Sequence, residues 1–142
     1  MRKRHPHLGY RVWRGDDVRF KEFDSRKIGT GFLGRTRGIG FWFTDDRGAA
    51  GFFGHIVRPF TLFLGSPRIF TADEFRSLYP KGPSDLARMA EVDGHDACVI
   101  RDIQDGDRIS NVFCVFNAGQ IGFGHYGEPR ELPNEENTCL TK

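Results

Sequence analysis

Gly38–Phe53, GIGFWFTDDRGAAGFF, is the stretch around which the rest of the chain is organised. A Gly-x-Gly enters an aromatic run, Phe41, Trp42 and Phe43, whose rings favour an extended strand. Thr44-Asp45-Asp46 ends that strand, and a small-residue helical turn with Ala49 and Ala50 delivers a second aromatic pair, Phe52 and Phe53. Thr44 or Asp45 is expected to cap the turn, a side-chain oxygen accepting from the orphan amides at the helix start. The product is a strand–turn–helix corner with flat rings on both arms. Such a corner can sandwich a planar heterocycle; it can equally be ordinary core.

With 142 residues the chain has room for one domain and too little for two independent cores. Frequent Phe and Gly suit short strands joined by tight turns. The net charge of +2 is small but unevenly spread. Basic residues cluster at Arg2-Lys3-Arg4 and through Arg26, Lys27, Arg35 and Arg37, while acids dominate the end. That distribution fits a phosphate-bearing ligand or an acidic partner, and equally a solvated basic face. Cys98 and Cys114 lie in apolar runs and read as buried small hydrophobes of a reducing compartment. No Cys-x-x-Cys or clustered His supports a metal site. No apolar run is long enough for a membrane span, and MRKRHPH leads into no signal-peptide apolar region, so a cytoplasmic protein with no membrane partner is expected.

Residues 1–8 read as a basic arm, 9–125 as the domain and 126–142 as a loosely held tail rich in acids and prolines. Tyr10–Trp13 is a first strand ending at Arg14-Gly15-Asp16-Asp17. The literal G-x-G-x-x-G at Gly29, Gly31 and Gly34 is no dinucleotide fingerprint, because neither a buried strand nor a helix flanks it. Ile56–Leu64 reads as a strand that Pro59 assigns to an edge or interrupts. Thr71 and Glu74 have capping-box spacing for a helix to about Tyr79. Ser84–Val92 gives a second helix with Leu86, Met89 and Ala90 on one face. Ala97–Ile100 and Asn111–Phe116 are strands, and Asp102–Arg108 carries the Asp-Gly of a hairpin tip. The order implies an α+β domain of two packed, mainly antiparallel sheets with flanking short helices.

Taken together, these segments resemble the ADP-ribosyltransferase fold, most closely the small domains of phage and mobile-element polyvalent proteins, on the diphtheria-toxin and poly(ADP-ribose) polymerase branch. The resemblance is carried, in order, by Val12-Trp13-Arg14-Gly15, Phe23-Asp24 with Lys27-Ile28-Gly29, Gly38-x-Gly-Phe-Trp-Phe-Thr-Asp, Gly94-His95-Asp96, and Val115-Phe116-Asn117 with Gln120-Ile121. It covers about Val12 to Ile121. In that family the first strand carries an aromatic–His–Gly, whose Gly backbone holds the nicotinamide carboxamide. Here Trp13 and Gly15 match, and Arg14 stands where His is usual. Arginine-type toxins use Arg there to hold the NAD phosphates, and a guanidinium supplies a planar donor fork to pyrophosphate. An Arg14 pair with Asp16 or Asp17 at the strand end is the structural alternative.

The resemblance further implies that Trp42 takes the place of a motif Tyr beside Phe43, and that Phe52 takes that of the ring stacked on nicotinamide. Asp16 and Thr44 would then lie near a carboxamide or ribose. The family's last strand opens with a Glu reaching the nicotinamide ribose, and here Val112 holds that place. Asp102, Asp105 and Asp107 of the hairpin tip are possible substitutes, with Asp107 preferred; an Asp-Gly-Asp also belongs in a turn for turn reasons.

The implied activity is mono-ADP-ribosyl transfer from NAD+, as substrate, to a macromolecular target, expected to be a protein, with release of nicotinamide and an effector or toxin-like role. Its rival is an inactive NAD-, ADP-ribose- or protein-binding module of the same fold. Nucleic-acid binding through the basic arm is disfavoured, since no RNA-binding motif is present.

Overall fold

The computed structural model describes residues 9–17, 40–78, 82–125 and 127–133. The basic arm, the Gly29–Gly34 motif, the Phe23–Gly29 and Gly38 parts of the resemblance and residues 134–142 lie outside them. In chain order the elements are β1 (Tyr10–Asp16), β2 (Phe41–Thr44), α1 (Arg47–Ala50), β3 (Ile56–Leu62), β4 (Pro67–Phe70), α2 (Ala72–Leu78), α3 (Pro83–Val92), β5 (Ala97–Asp105), β6 (Arg108–Val115), a 3-10 turn (Ala118–Gln120) and β7 (Ile121–Phe123).

The fold is α+β, but its strands form one sheet rather than the expected two, in the order β4-β5-β6-β2-β1-β3-β7. All neighbours are antiparallel except β4 and β5. The join between its halves is narrow, since β1 and β2 pair only at Trp13↔Thr44. Across that join Tyr10 of β1 meets Phe113 of β6 with ring centroids 5.6 Å apart, and Phe43 of β2 meets Phe60 of β3 at 5.4 Å. Both contacts skip a strand, and a flat sheet holds next-but-one strands about 10 Å apart. The sheet is therefore bent about the β1–β2 joint, and the halves share one core.

That core takes Tyr10, Val12, Phe41, Phe43, Phe60, Leu62, Phe113 and Val115 from alternating positions. The opposite face places Cys98, Ile100 and Cys114 against Phe70 and against Leu86, Ala87 and Ala90 of α3. Burying a ring such as Phe60 or Phe113 contributes about 1.5–3 kcal/mol. Met89, expected on the buried stripe of α3, is 39% exposed, and Ala87 takes its place.

The capping box of α2 forms as expected: Glu74 N donates to Thr71 Oγ1 at 3.0 Å and Thr71 N to Glu74 Oε1 at 2.9 Å. The cap of α1 differs from expectation. Asp46, not Thr44 or Asp45, accepts from Ala49 N at 2.8 Å. Thr44 Oγ1 accepts from Asp46 N, and the Asp45 carboxylate accepts from both the backbone and side chain of Asn111 on β6.

Pro59 lies inside the sheet, with its polar backbone side toward β7. Its carbonyl accepts from Gly124 N at 2.9 Å, and the Gly124 carbonyl, which its absent N–H leaves unmet, accepts from Thr61 Oγ1 at 2.6 Å. Residues 127–133 depart from the expected loose tail. Arg130 N donates to Gly9 O at 2.8 Å, Arg130 Nη1 to Leu64 O and Arg101 Nη1 to Pro133 O, and Leu132 packs on the core.

Candidate functional site

Beyond Trp13↔Thr44 the strands β1 and β2 diverge, and a cavity of about 400 Å³ opens there. Consecutive residues line it from both strands, Trp13-Arg14-Gly15 and Trp42-Phe43-Thr44. A cavity over one face of a sheet would touch alternate residues, so this one sits in the gap between strand edges. Val112 and Ile103 form its floor, Ala50 and Phe53 one wall, and Gly82–Asp85 with Arg88 of α3 the other.

Gly15 is the narrowest point of this construction. A Cβ there would lie 2.0 Å from the Ala50 carbonyl oxygen and 2.9 Å from that of Gly54, so only glycine lets the chain after α1 lie on β1. Its backbone direction follows from register. Pro59 O and Phe63 N bond toward the β7 side, so odd-numbered residues of β3 turn away from β1. Gly15 pairs with Val57, and its own N–H and C=O consequently face away from β3, into the gap.

Trp13 is held from two sides. The Arg47 guanidinium lies 5.2 Å from its ring, and His125 meets it edge-on at 4.8 Å while His125 Nε2 is 2.9 Å from the Val12 carbonyl oxygen. Arg14 Nε donates to both Asp16 oxygens at 3.0 and 3.2 Å, and its guanidinium lies 5.7 Å from the Phe43 ring. The strand-end Arg14–Asp16 pair and the cavity wall are thus features of the same side chain.

Of the residues singled out from the sequence, Trp13, Arg14, Gly15, Trp42, Phe43, Thr44 and Val112 line the cavity. Asp16 stands behind Arg14. Phe52 does not reach the cavity; it is 53% exposed and rests over Gly106 of the β5–β6 turn. Its neighbour Phe53 lines the wall instead, in the turn after α1, where its N–H donates to the Ala50 carbonyl at 3.1 Å. Asp107 sits exposed at the hairpin tip, and Asp105 lines the cavity in its stead. Ile103, Asp85 and Arg88 were not singled out from the sequence.

Electrostatics differ sharply among the acids nearby. Arg108, hydrogen-bonded to Asp46, holds that carboxyl below its ordinary value, with help from Ala49 N. Burial pushes the Asp105 carboxyl up. Among the described residues the two free thiols are shifted by the same cause: burial pushes Cys98 up to about 12 and Cys114 well above its ordinary value. Among the described residues no group of His, Cys, Asp and Glu is arranged to hold a metal, and no helix is long and apolar enough to cross a membrane.

Fold and site together define an α+β protein with an aromatic cavity, edged by guanidinium groups, at a divergence of central strands. No family model matches the chain, nor does any curated protein or solved structure.

Proposed function

We propose that the protein is an NAD+-dependent mono-ADP-ribosyltransferase that transfers ADP-ribose to a protein target and releases nicotinamide. One observation carries the reading: Trp13, Thr44 and Val112, from the three strand segments of the resemblance, form a single row across β1, β2 and β6, at the cavity. The rings of Trp42 and Phe53 suit a planar heterocycle. Gly15 turns one donor and one acceptor into the gap, the complement of a carboxamide. Arg14 and Arg88 supply permanent positive charge for a pyrophosphate.

A second reading is favoured by Val112, an apolar side chain where the family carries Glu: a module that binds NAD or ADP-ribose without cleaving it. Labelled NAD+ with purified protein and cell lysate separates the two. Nicotinamide release and label transfer, both lost in Trp42→Ala and Arg14→Ala, support the enzyme. Binding without release supports the module, and neither binding nor release rejects both.

A further inference from the structure

A carboxylate enters the cavity from β5, the strand beside Val112. β5 and β6 are in register as far as Ile100↔Val112 and again from Ile103↔Ser110. Three steps on β5 thus match two on β6, a bulge with one extra residue. Asp102 takes the strained conformation there, at φ 55°, and its N–H donates to Asn111 Oδ1 at 3.0 Å. Asn111 is itself held by Asp45. The extra residue reverses the alternation of the strand. Cys98 and Ile100 face the helices before the bulge; beyond it Ile103 and Asp105 take that face, in place of Asp102 and Gln104. Bulges re-aim side chains in this way beside functional sites.

Asp105 is partly buried and, among the described residues, has no ion pair or side-chain hydrogen bond. Arg108, directly opposite in register, is bound to Asp46. Asp85, the cavity's other carboxylate, lies in the first turn of α3, where the helix dipole already favours negative charge. Asp105 has no such compensation, and its burial raises its proton affinity. The same cavity is lined by Trp13, Trp42 and Phe53, whose aromatic rings attract cations. A partly buried carboxylate without an ion-pair partner and an aromatic lining are together the surroundings of a positively charged planar group.

We infer that Asp105 faces the cationic pyridinium–ribose linkage of an oxidised nicotinamide nucleotide, supplying from β5 the electrostatic stabilisation for which β6 offers only Val112. The inference rests on the ADP-ribosyl-transfer reading. In that reaction the C1′–N bond breaks with its electron pair passing to the pyridinium nitrogen, and nicotinamide leaves neutral. Positive charge spreads over C1′ and the ribose ring oxygen, where a nearby carboxylate lowers its energy. An acceptor lone pair closes on C1′ and the acceptor's proton passes to solvent. Asp105 forms no covalent bond.

The test compares nicotinamide release from NAD+, and calorimetric binding of NAD+ and NADH, in wild type, Asp105→Asn, Asp105→Glu, Asp107→Asn and Asp105→Asn with Val112→Glu. Asp105→Asn is expected to lower kcat on the order of a hundred-fold and to lose any preference for NAD+ over NADH. Asp107→Asn leaves both unchanged, the charge-preserving Asp105→Glu keeps measurable release, and Val112→Glu restores release to Asp105→Asn. Wild-type release rates in a folded Asp105→Asn protein overturn the inference and leave the transfer reading standing. Equal loss in Asp105→Asn and Asp105→Glu, with no rescue by Val112→Glu, overturns it as well. Wild-type protein that releases no nicotinamide and binds NAD+ no better than NADH overturns both.

Discussion

Arg108 at the start of β6 binds the carboxylate of Asp46, and that carboxylate also caps α1. One side chain thereby ties together the α1 wall of the cavity, with Ala50 and Phe53, and the β5–β6 hairpin that carries Ile103 and Asp105. α1 spans only Arg47–Ala50, too short to hold itself, so the cap and the ion pair fix where the wall stands.

Replacing Asp46 should separate these two roles. Asp46→Asn keeps an N-cap acceptor and loses the charge, whereas Asp46→Ala loses both. The Ala variant is expected to be less stable than the Asn variant by about 1 kcal/mol in urea unfolding, the usual worth of an N-cap. Equal stabilities would mean that the cap contributes nothing.

Acid titration gives the two acids opposite signs. Asp46 is depressed in the folded protein, so its contribution is complete above its ordinary value of 3.8 and fades as the pH falls below it. The stability gap between wild type and Asp46→Asn should close there. Asp105 is raised, so its contribution is present below 3.8 and lost as the pH rises through the folded value. Asp105→Asn should therefore be no less stable than wild type at neutral pH. Thermal unfolding across the pH range reads both.

Gly15→Ala places a methyl group against backbone oxygens of Ala50 and Gly54, which no rotamer change relieves. A loss of about 1–3 kcal/mol is expected, the usual range for overpacking. Unfolding with denaturant measures it, and a variant as stable as wild type would show that α1 does not lie on β1 as described.

Cys98 and Cys114 face each other across β5 and β6, fully buried. With the Cys98 thiol at about 12, native protein should leave both unmodified by iodoacetamide, with modification only at the rate of unfolding. Peptide mapping by mass spectrometry after a short native exposure checks each cysteine. Rapid alkylation of either would contradict the packing of α3 on this face.

Local signals were legible wherever a few neighbouring residues settle the outcome. The Thr71–Glu74 box, the Asp-Gly hairpin, the strand at Phe41–Phe43 and the short helix after it all follow from spacing and side-chain type. Part of the cavity lining was legible too, in the short aromatic-and-glycine runs Trp13-Arg14-Gly15 and Trp42-Phe43-Thr44. Phe52 and Phe53 were not separable. Both follow the same short helix, and only the approach of the hairpin tip at Gly106 decides which ring is displaced outward.

What the sequence determined alone is most of the elements, though not the short strands β4 and β7, and the glycine-and-aromatic character of the corner between β2 and α1, since both depend on contacts a few residues long. Tertiary structure alone decided that the halves join at Trp13↔Thr44, that the sheet bends there, and that Asp105 rather than Asp102 reaches the gap. The physical reason is parity. A strand alternates its side chains strictly, so one extra residue at a bulge turns every later one over, and that residue reveals itself only when β5 is laid against β6.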